Sequence, residues 1–194
     1  MPNLTPFLAY VFVTTFTPGP NNVMAMSNAM RFGLKKTMPF VWGIFTGFLL
    51  VLTLSGLLNM ALASLIPGLR TWLNLLGAVY MLYLAYHIAH SQPVEEGQGG
   101  DNLNTFRAGF LQQFVNVKVL VFGITVFSLF IVNTYHDPLS ISLFALFLAL
   151  VGFAASSSWA IGGNLFRKLL KEHYRAFNYV MAGLLVYTAA ASLL

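Results

Sequence analysis

No cysteine occurs in the 194 residues, which excludes disulfides, thiolate metal sites and cysteine nucleophiles. Charge is almost as scarce. Only 8% of the residues are Asp, Glu, Lys or Arg, against about 25% in a soluble domain, so a soluble globular fold is excluded. The acidic residues are Glu95, Glu96, Asp101, Asp137 and Glu172, and all fall in loops or at expected helix ends. Proton-driven carriers often use an intramembrane carboxylate. With none here, any proton coupling has to run through Lys118, a histidine, the substrate or water.

Other function classes lack their residues too. An intramembrane enzyme needs a nucleophile, a base or a metal set within its spans. The sequence has no Gly-x-Ser-x-Gly elbow, no His-Glu-x-x-His and no acid inside a span. His87, His90, His136 and His173 lie near span ends without metal-ligand pairing, so neither a metal nor a cofactor is expected. Rings of like charge or repeated filter backbone, the marks of a channel, are not seen.

What is present is apolar. Hydrophobic residues make up 58% of the chain and mean hydropathy is +0.75. Six stretches are near or above the roughly 20 residues that cross a bilayer as a helix: 4–30, 37–64, 69–90, 105–133, 139–163 and 176–194. Ile66-Pro67-Gly68 and His136-Asp137-Pro138 read as tight turns. Residues 91–104 form a polar loop at mid-chain. The first basic residue, Arg31, follows the first apolar run, so span one is expected to be retained rather than cleaved as a signal peptide.

Lysine and arginine set the expected orientation. With six spans, one side collects Arg31, Lys35, Lys36, Arg107, Arg167, Lys168, Lys171 and Arg175, and the other has only Arg70. Both termini should then face outward, with the loop 91–104 in the cytoplasm. The formal charge of +5 thus reads as topology and not as a nucleic-acid patch.

The expected fold is an all-α integral membrane protein, one transport domain over 1–194. Its six transmembrane helices form two inverted three-helix repeats, about 1–90 and 105–194. Three spans per half force opposite insertion of the halves. Internal similarity points the same way. Phe16-Thr17-Pro18-Gly19-Pro20 falls opposite Phe114-Val115-Asn116-Val117-Lys118, and the third spans carry Asn74 with Tyr83 and Asn178 with Tyr187 at equal spacing.

Two places could carry chemistry. Pro18, Gly19 and Pro20 cannot continue a helix, and a break at membrane depth survives only in protein or beside a polar cavity. A helix restarting after Pro20 presents free N–H groups and a positive dipole end, suited to a carboxylate. Asn21 and Asn22 add amide groups for an amino group or side chain. The bland alternative is a proline kink at helix packing. Whether span one crosses broken or re-enters is open from sequence alone. The second place is Lys118, the one charge deep within a span, which should face the bundle interior or water. Gln112, Gln113 and Asn116 precede it, and Gln112 and Asn116 share a helix face. Lys118 attracts a carboxylate or takes part in proton coupling; the bland alternatives are a lysine that snorkels or one that caps a broken helix as structural glue. Ser156-Ser157-Ser158-Trp159 in span five reads as close helix packing in preference to pathway lining.

Through these residues the chain resembles the LysE/RhtB amino-acid exporter superfamily over its whole length. Thr17-Pro18-Gly19-Pro20 and the asparagine–lysine element of span four carry the likeness. The wider family usually has Asn-Pro-Lys at that second element, and here it is Asn116-Val117-Lys118, without the proline that would break the helix. Gln113-Phe114-Val115-Asn116-Val117-Lys118, Thr17 to Asn22 and Gly123-Ile124-Thr125 resemble the cysteine/O-acetylserine exporter subgroup. The resemblance implies export of small amino acids such as cysteine and O-acetylserine across a bacterial cytoplasmic membrane by proton antiport, without catalysis or cofactor. Another amino acid such as threonine, homoserine or lysine, and a passive channel, are the alternatives. By the same resemblance Pro18, Gly19, Pro20, Asn21 and Asn22 form one half of the substrate site, and Asn116 and Lys118 the other; Gln112 is added to the expected site by the helix face it shares with Asn116. The partners are then a small amino acid and the lipid bilayer, with a homo-oligomer compatible.

Overall fold

The computed structural model describes residues 4–62, 79, 82–83, 85–86, 89–90, 102–132, 134–165 and 173–191. These form seven α-helices and no strand: α1 (Leu4–Phe16), α2 (Pro20–Phe32), α3 (Leu34–Leu62), α4 (Phe106–Val115), α5 (Val117–Val126), α6 (Pro138–Leu165) and α7 (Tyr174–Ala191). A π-helical turn, Phe127–Ile131, extends α5. Most of the expected third span and of the loop 91–104 lie outside the described residues. So do the Ile66-Pro67-Gly68 turn, the partner Asn74 in the repeat comparison, His87, and the basic residues Arg70, Arg167, Lys168 and Lys171.

Local chemistry sets the helix boundaries. Pro20 occupies the first position of α2, where its missing N–H costs nothing. Gly33 ends that helix with φ 84°, a left-handed conformation that favours glycine. It is the one positive φ among the described residues. The Thr105 hydroxyl caps α4, accepting from the Ala108 N–H at 3.2 Å. The expected turn at His136-Asp137-Pro138 is the start of α6: Pro138 opens the helix, and Asp137 Oδ1 accepts from the Ser140 N–H at 2.8 Å.

Leu34–Asn59 and Pro138–Leu165 are long and apolar enough to cross a membrane. With α4 and α5 counted as one broken span, bent by 61°, there are three. The protein is thus an all-helical, multi-pass membrane protein. Glycine brings two helix backbones together. Side chains at Gly43 and Gly109 would run into the carbonyl oxygens of Phe106 and Phe40, so α3 and α4 touch main chain to main chain, the small-residue packing that substitutes for a hydrophobic drive in lipid.

Contacts along each helix give its direction. Phe48 of α3 lies against Gly152 of α6, and Gly56 against Ile141, so these two helices are antiparallel. Phe7 of α1 packs on Phe144 and Phe147, and Trp159 Nε1 donates to the Phe16 carbonyl. Further on, Ser156 reaches Asn22 and Gly163 meets Met26 of α2. Both α1 and α2 therefore advance along α6 in one direction. The chain does not turn back at Pro18–Pro20: α1 and α2 follow one another as two helices running the same way along α6.

Two apolar clusters fill the bundle. One gathers Phe7, Val11, Leu52, Phe122, Phe127 and Leu148, and the other Val23, Ala29, Phe40, Ile44, Met181 and Leu185. Along α1–α2, α3 and α6 the switch from one cluster to the other falls at residues 15–22, 44–48 and 149–160. A polar layer occupies that level. At the far end of the second cluster, the Leu34 N–H donates to Asn164 Oδ1, Asn28 to the Leu103 carbonyl and Asn104 to the Lys36 carbonyl. The end carrying Arg31, Lys35, Lys36 and Arg107 is thereby tied together.

Candidate functional site: a polar layer between two helix breaks

The first break spans Thr17 to Gly19. Without help it would leave the last carbonyls of α1 unpaired within an apolar stretch, at about 1–3 kcal/mol for each that is shielded from water. Three side chains take them up. Asn22 Nδ2 donates to the Thr15 and Thr17 carbonyls at 2.7 and 3.1 Å. Lys118 Nζ donates to those of Thr17 and Pro18 at 2.8 and 3.2 Å. Trp159 Nε1 donates to that of Phe16 at 3.2 Å. Lys118 comes close because residue 19 is glycine: a Cβ there would stand 2.8 Å from Lys118 Cδ and 2.9 Å from Nζ.

The second break is at Asn116, which is extended (φ −80°, ψ 97°) between α4 and α5. Span four is thus broken without the proline that the wider family carries. Side-chain bonding from the first break accounts for it. Asn21 Oδ1 accepts from Asn116 Nδ2 at 2.9 Å, Gln113 Nε2 at 3.0 Å and Gln112 Nε2 at 3.1 Å. Asn21 Nδ2 returns a bond to Gln113 Oε1 at 2.8 Å. One amide of α2 therefore holds both sides of the break between α4 and α5.

A cavity of about 40 Å³ lies where the breaks meet. Gly19, Pro20, Asn21 and Asn22 line it from the start of α2, and Asn116, Lys118 and Val119 from the start of α5. Phe48, Phe122, Gly152 and Ser156 form its remaining wall, with Thr14 and Thr15 of α1. Two helix N-termini and one ammonium group make this a place for negative charge. Asn116 is only 1% exposed, yet its Oδ1 has no hydrogen-bond partner.

The sequence-predicted residues are brought together here: Pro20, Asn21, Asn22, Asn116 and Lys118, with Gly19, on the cavity wall, and Pro18 and Gln112 bonded just behind it. Their chemistry differs in one respect from the expectation. The side-chain amides of Asn21 and Asn22, read as contacts for a ligand, are consumed in holding the breaks, because the interrupted helices need those donors first. What this helix start offers the cavity is its first-turn N–H groups, which have no intrahelical acceptor. Lys118 acts as helix cap and cavity wall at once. Gln113, fully buried, is a missed residue whose signal was its place between Gln112 and Asn116. Ser156, read from the sequence as packing in preference to pathway lining, donates to Asn22 Oδ1 at 3.2 Å and lines the cavity. Among the described residues no group of three or more His, Cys, Asp or Glu side chains comes together for a metal.

The sequence profile of the family described as "LysE type translocator" matches residues 12–194. The chain belongs to the LysE type translocator family. Similar proteins match this chain nearly end to end. A cysteine/O-acetylserine efflux protein of Escherichia coli K12 is 35% identical over 96% of this chain and 95% of its own. The protein of that name from Klebsiella pneumoniae is 34% identical over 96% and 94%, and that from Shigella flexneri 35% over 96% and 95%. No solved structure matches the chain. As a LysE translocator it is a membrane transporter of amino acids and not an enzyme.

Proposed function

We propose that this LysE translocator exports small amino acids, cysteine and O-acetylserine among them, from the cytoplasm by proton antiport. Its substrate site is the cavity between the two helix breaks. The observation that carries the reading is the meeting of two helix starts and Lys118 at one buried polar space, which suits a substrate carboxylate. The similar proteins, full-length matches named for cysteine and O-acetylserine, supply the substrate class. Phe48, Phe122, Val119 and Gly152 give that space an apolar side, suited to a short thiol or acetyl-bearing side chain. Pro18, Gly19, Pro20, Asn21, Asn22, Gln112, Asn116 and Lys118 form the site in this reading, five of them (Asn21, Asn22, Gln112, Asn116 and Lys118) also holding carbonyls or amides in place.

The six-span arrangement in two inverted repeats, 1–90 and 105–194, belongs to the same proposal. Each proposed repeat has its first span broken, the second halves α2 and α5 both begin at the cavity, and the shared end of α2, α3 and α4 is basic. That end lies in the cytoplasm of a bacterium, and both termini lie outside.

Efflux from cells tests this. Cells producing the protein are loaded with cysteine, O-acetylserine, threonine, homoserine, lysine or leucine, and the medium is followed with and without a protonophore. Protonophore-sensitive release of cysteine and O-acetylserine is expected. Release of another amino acid alone would change the substrate, and non-saturating flux indifferent to the proton gradient would make the protein a pore.

A further inference from the structure

The cavity is rich in donors and poor in acceptors. The N–H groups at the start of α2, the start of α5 and the Lys118 ammonium all donate. The side-chain oxygens of Asn21 and Asn22 are occupied by Gln112, Gln113, Asn116 and Ser156. Among the side-chain amide oxygens Asn116 Oδ1 is the exception; the other side-chain acceptors on the wall are the hydroxyls of Thr14, Thr15 and Ser156. Asn116 Nδ2 is fixed on Asn21, which leaves the oxygen of the same rigid amide turned away from that bond. It is buried, it belongs to a cavity-lining residue, and nothing donates to it. Leaving such an acceptor empty in an apolar interior is costly, so its presence calls for a donor that arrives from outside.

We infer that Asn116 Oδ1 is the subsite for the α-ammonium group of the transported amino acid. The inference rests on the exporter reading above and assigns the orientation of the substrate within that site. A carboxylate has no hydrogen to give Asn116 Oδ1, and an ammonium group has nothing to accept from the helix starts. A zwitterion therefore enters one way: carboxylate toward the first turns of α2 and α5, ammonium on Asn116, side chain toward Phe48 and Phe122. The rule that follows is chemical. The site demands a free α-amino group, and an amino acid without one forfeits its charge-assisted bond to Asn116 Oδ1.

The test uses the protein in proteoliposomes under reducing conditions, with counterflow of labelled cysteine and a graded set of competitors. Cysteine is compared with 3-mercaptolactate, in which hydroxyl replaces the amino group, and with N-acetylcysteine. 3-Mercaptolactate, whose hydroxyl still donates a neutral bond, should compete about 5- to 10-fold more weakly than cysteine, the difference between a charge-assisted and a neutral hydrogen bond, and N-acetylcysteine, with its added acetyl bulk, at least as weakly. Competition by 3-mercaptolactate within about threefold of cysteine would overturn the assignment while leaving the exporter intact. Absence of cysteine counterflow in the unmodified protein would overturn the exporter reading and the assignment with it. In Asn116→Ala the preference for cysteine over 3-mercaptolactate should collapse toward unity, whatever the absolute rate. A preference that survives in a folded Asn116→Ala protein rejects the assignment. Should that variant fail to fold, the competitor series on the unmodified protein decides alone.

Discussion

Lys118 Nζ donates to the Thr17 carbonyl at 2.8 Å, across 101 positions of sequence. The cation of one broken helix thus closes the open carbonyl end of the other, opposite in sign to the α1 terminus it meets. Replacing it with methionine keeps the aliphatic stem and removes two charge-assisted bonds, each worth about 1.5–3 kcal/mol. Export by Lys118→Met should fall roughly tenfold or more at normal membrane abundance. Undiminished efflux per molecule would detach Lys118 from transport.

Gly19 tests the same contact from the other side. An added Cβ meets the flexible end of Lys118 and not backbone, so Gly19→Ala should fold and displace the ammonium. Efflux is expected to drop severalfold, and further in Gly19→Val, with the melting temperature lowered no more than in Lys118→Met, since the same two carbonyls lose their donor. Undiminished efflux per molecule in Gly19→Ala would detach this contact from transport.

Asn21 bears on folding more than any other polar residue of the layer. Asn21→Leu keeps the volume and leaves amide groups of Gln112, Gln113 and Asn116 without their acceptor, at about 1–3 kcal/mol per buried group. The variant should melt well below the parent in detergent, and Asn21→Asp should retain more of the stability by keeping an acceptor. An unchanged melting temperature in Asn21→Leu would show that water replaces the amide.

Close approach of α3 and α4 gives a purely structural expectation. Gly43→Leu and Gly109→Leu each push a side chain against a carbonyl that cannot rotate away, at a cost of about 1–3 kcal/mol or more. Membrane abundance should fall in both, whereas Gly162→Ala, where a Cβ meets nothing within 4 Å, should leave it unchanged. The comparison is read by quantitative blotting of membranes.

Asp137 supplies a pH dependence outside the apolar spans. The Ser140 backbone N–H beside it holds its carboxyl below the usual carboxylate value. The ionised form is therefore favoured in the folded protein, and the contribution of this cap is present above the unfolded value near 3.8. It is lost as pH falls through the lower folded value. The pH dependence of thermal stability below about pH 4 should weaken in Asp137→Asn, which keeps a capping oxygen without the titration. An identical acid profile in the two proteins would exclude the group.

The break at Pro18-Gly19-Pro20 was legible in the sequence because proline chemistry acts locally: no partner is needed to know that a helix stops there. Lys118 was legible for a similar reason, since the cost of a charge in an apolar span does not depend on its neighbours. The break at Asn116 was not. Val117 is compatible with a continuous helix, and the extended backbone before it is held by Asn21, which no local pattern connects to it. Ser156 was hidden likewise, because a serine in an apolar helix bonds to its own preceding turn unless another helix brings an acceptor, as Asn22 does. The direction of α1 and α2 needed pairings with α6 that spacing along the chain does not contain.

Main-chain contact at Gly43 and Gly109 has a mechanical consequence. Two helices joined without intervening side chains have no rotamers to exchange and little slack to slide or roll, so α3 and α4 behave as one strut. The Gly163–Met26 contact stiffens α2 against α6 in the same fashion. Compliance is left at the two joints, Thr17–Gly19 and Asn116, where α1 and α5 meet this frame through apolar side-chain packing and side-chain hydrogen bonds. A cavity that opens first to one face and then to the other needs moving parts of that kind, short arms on a stiff chassis with the cargo at the hinge.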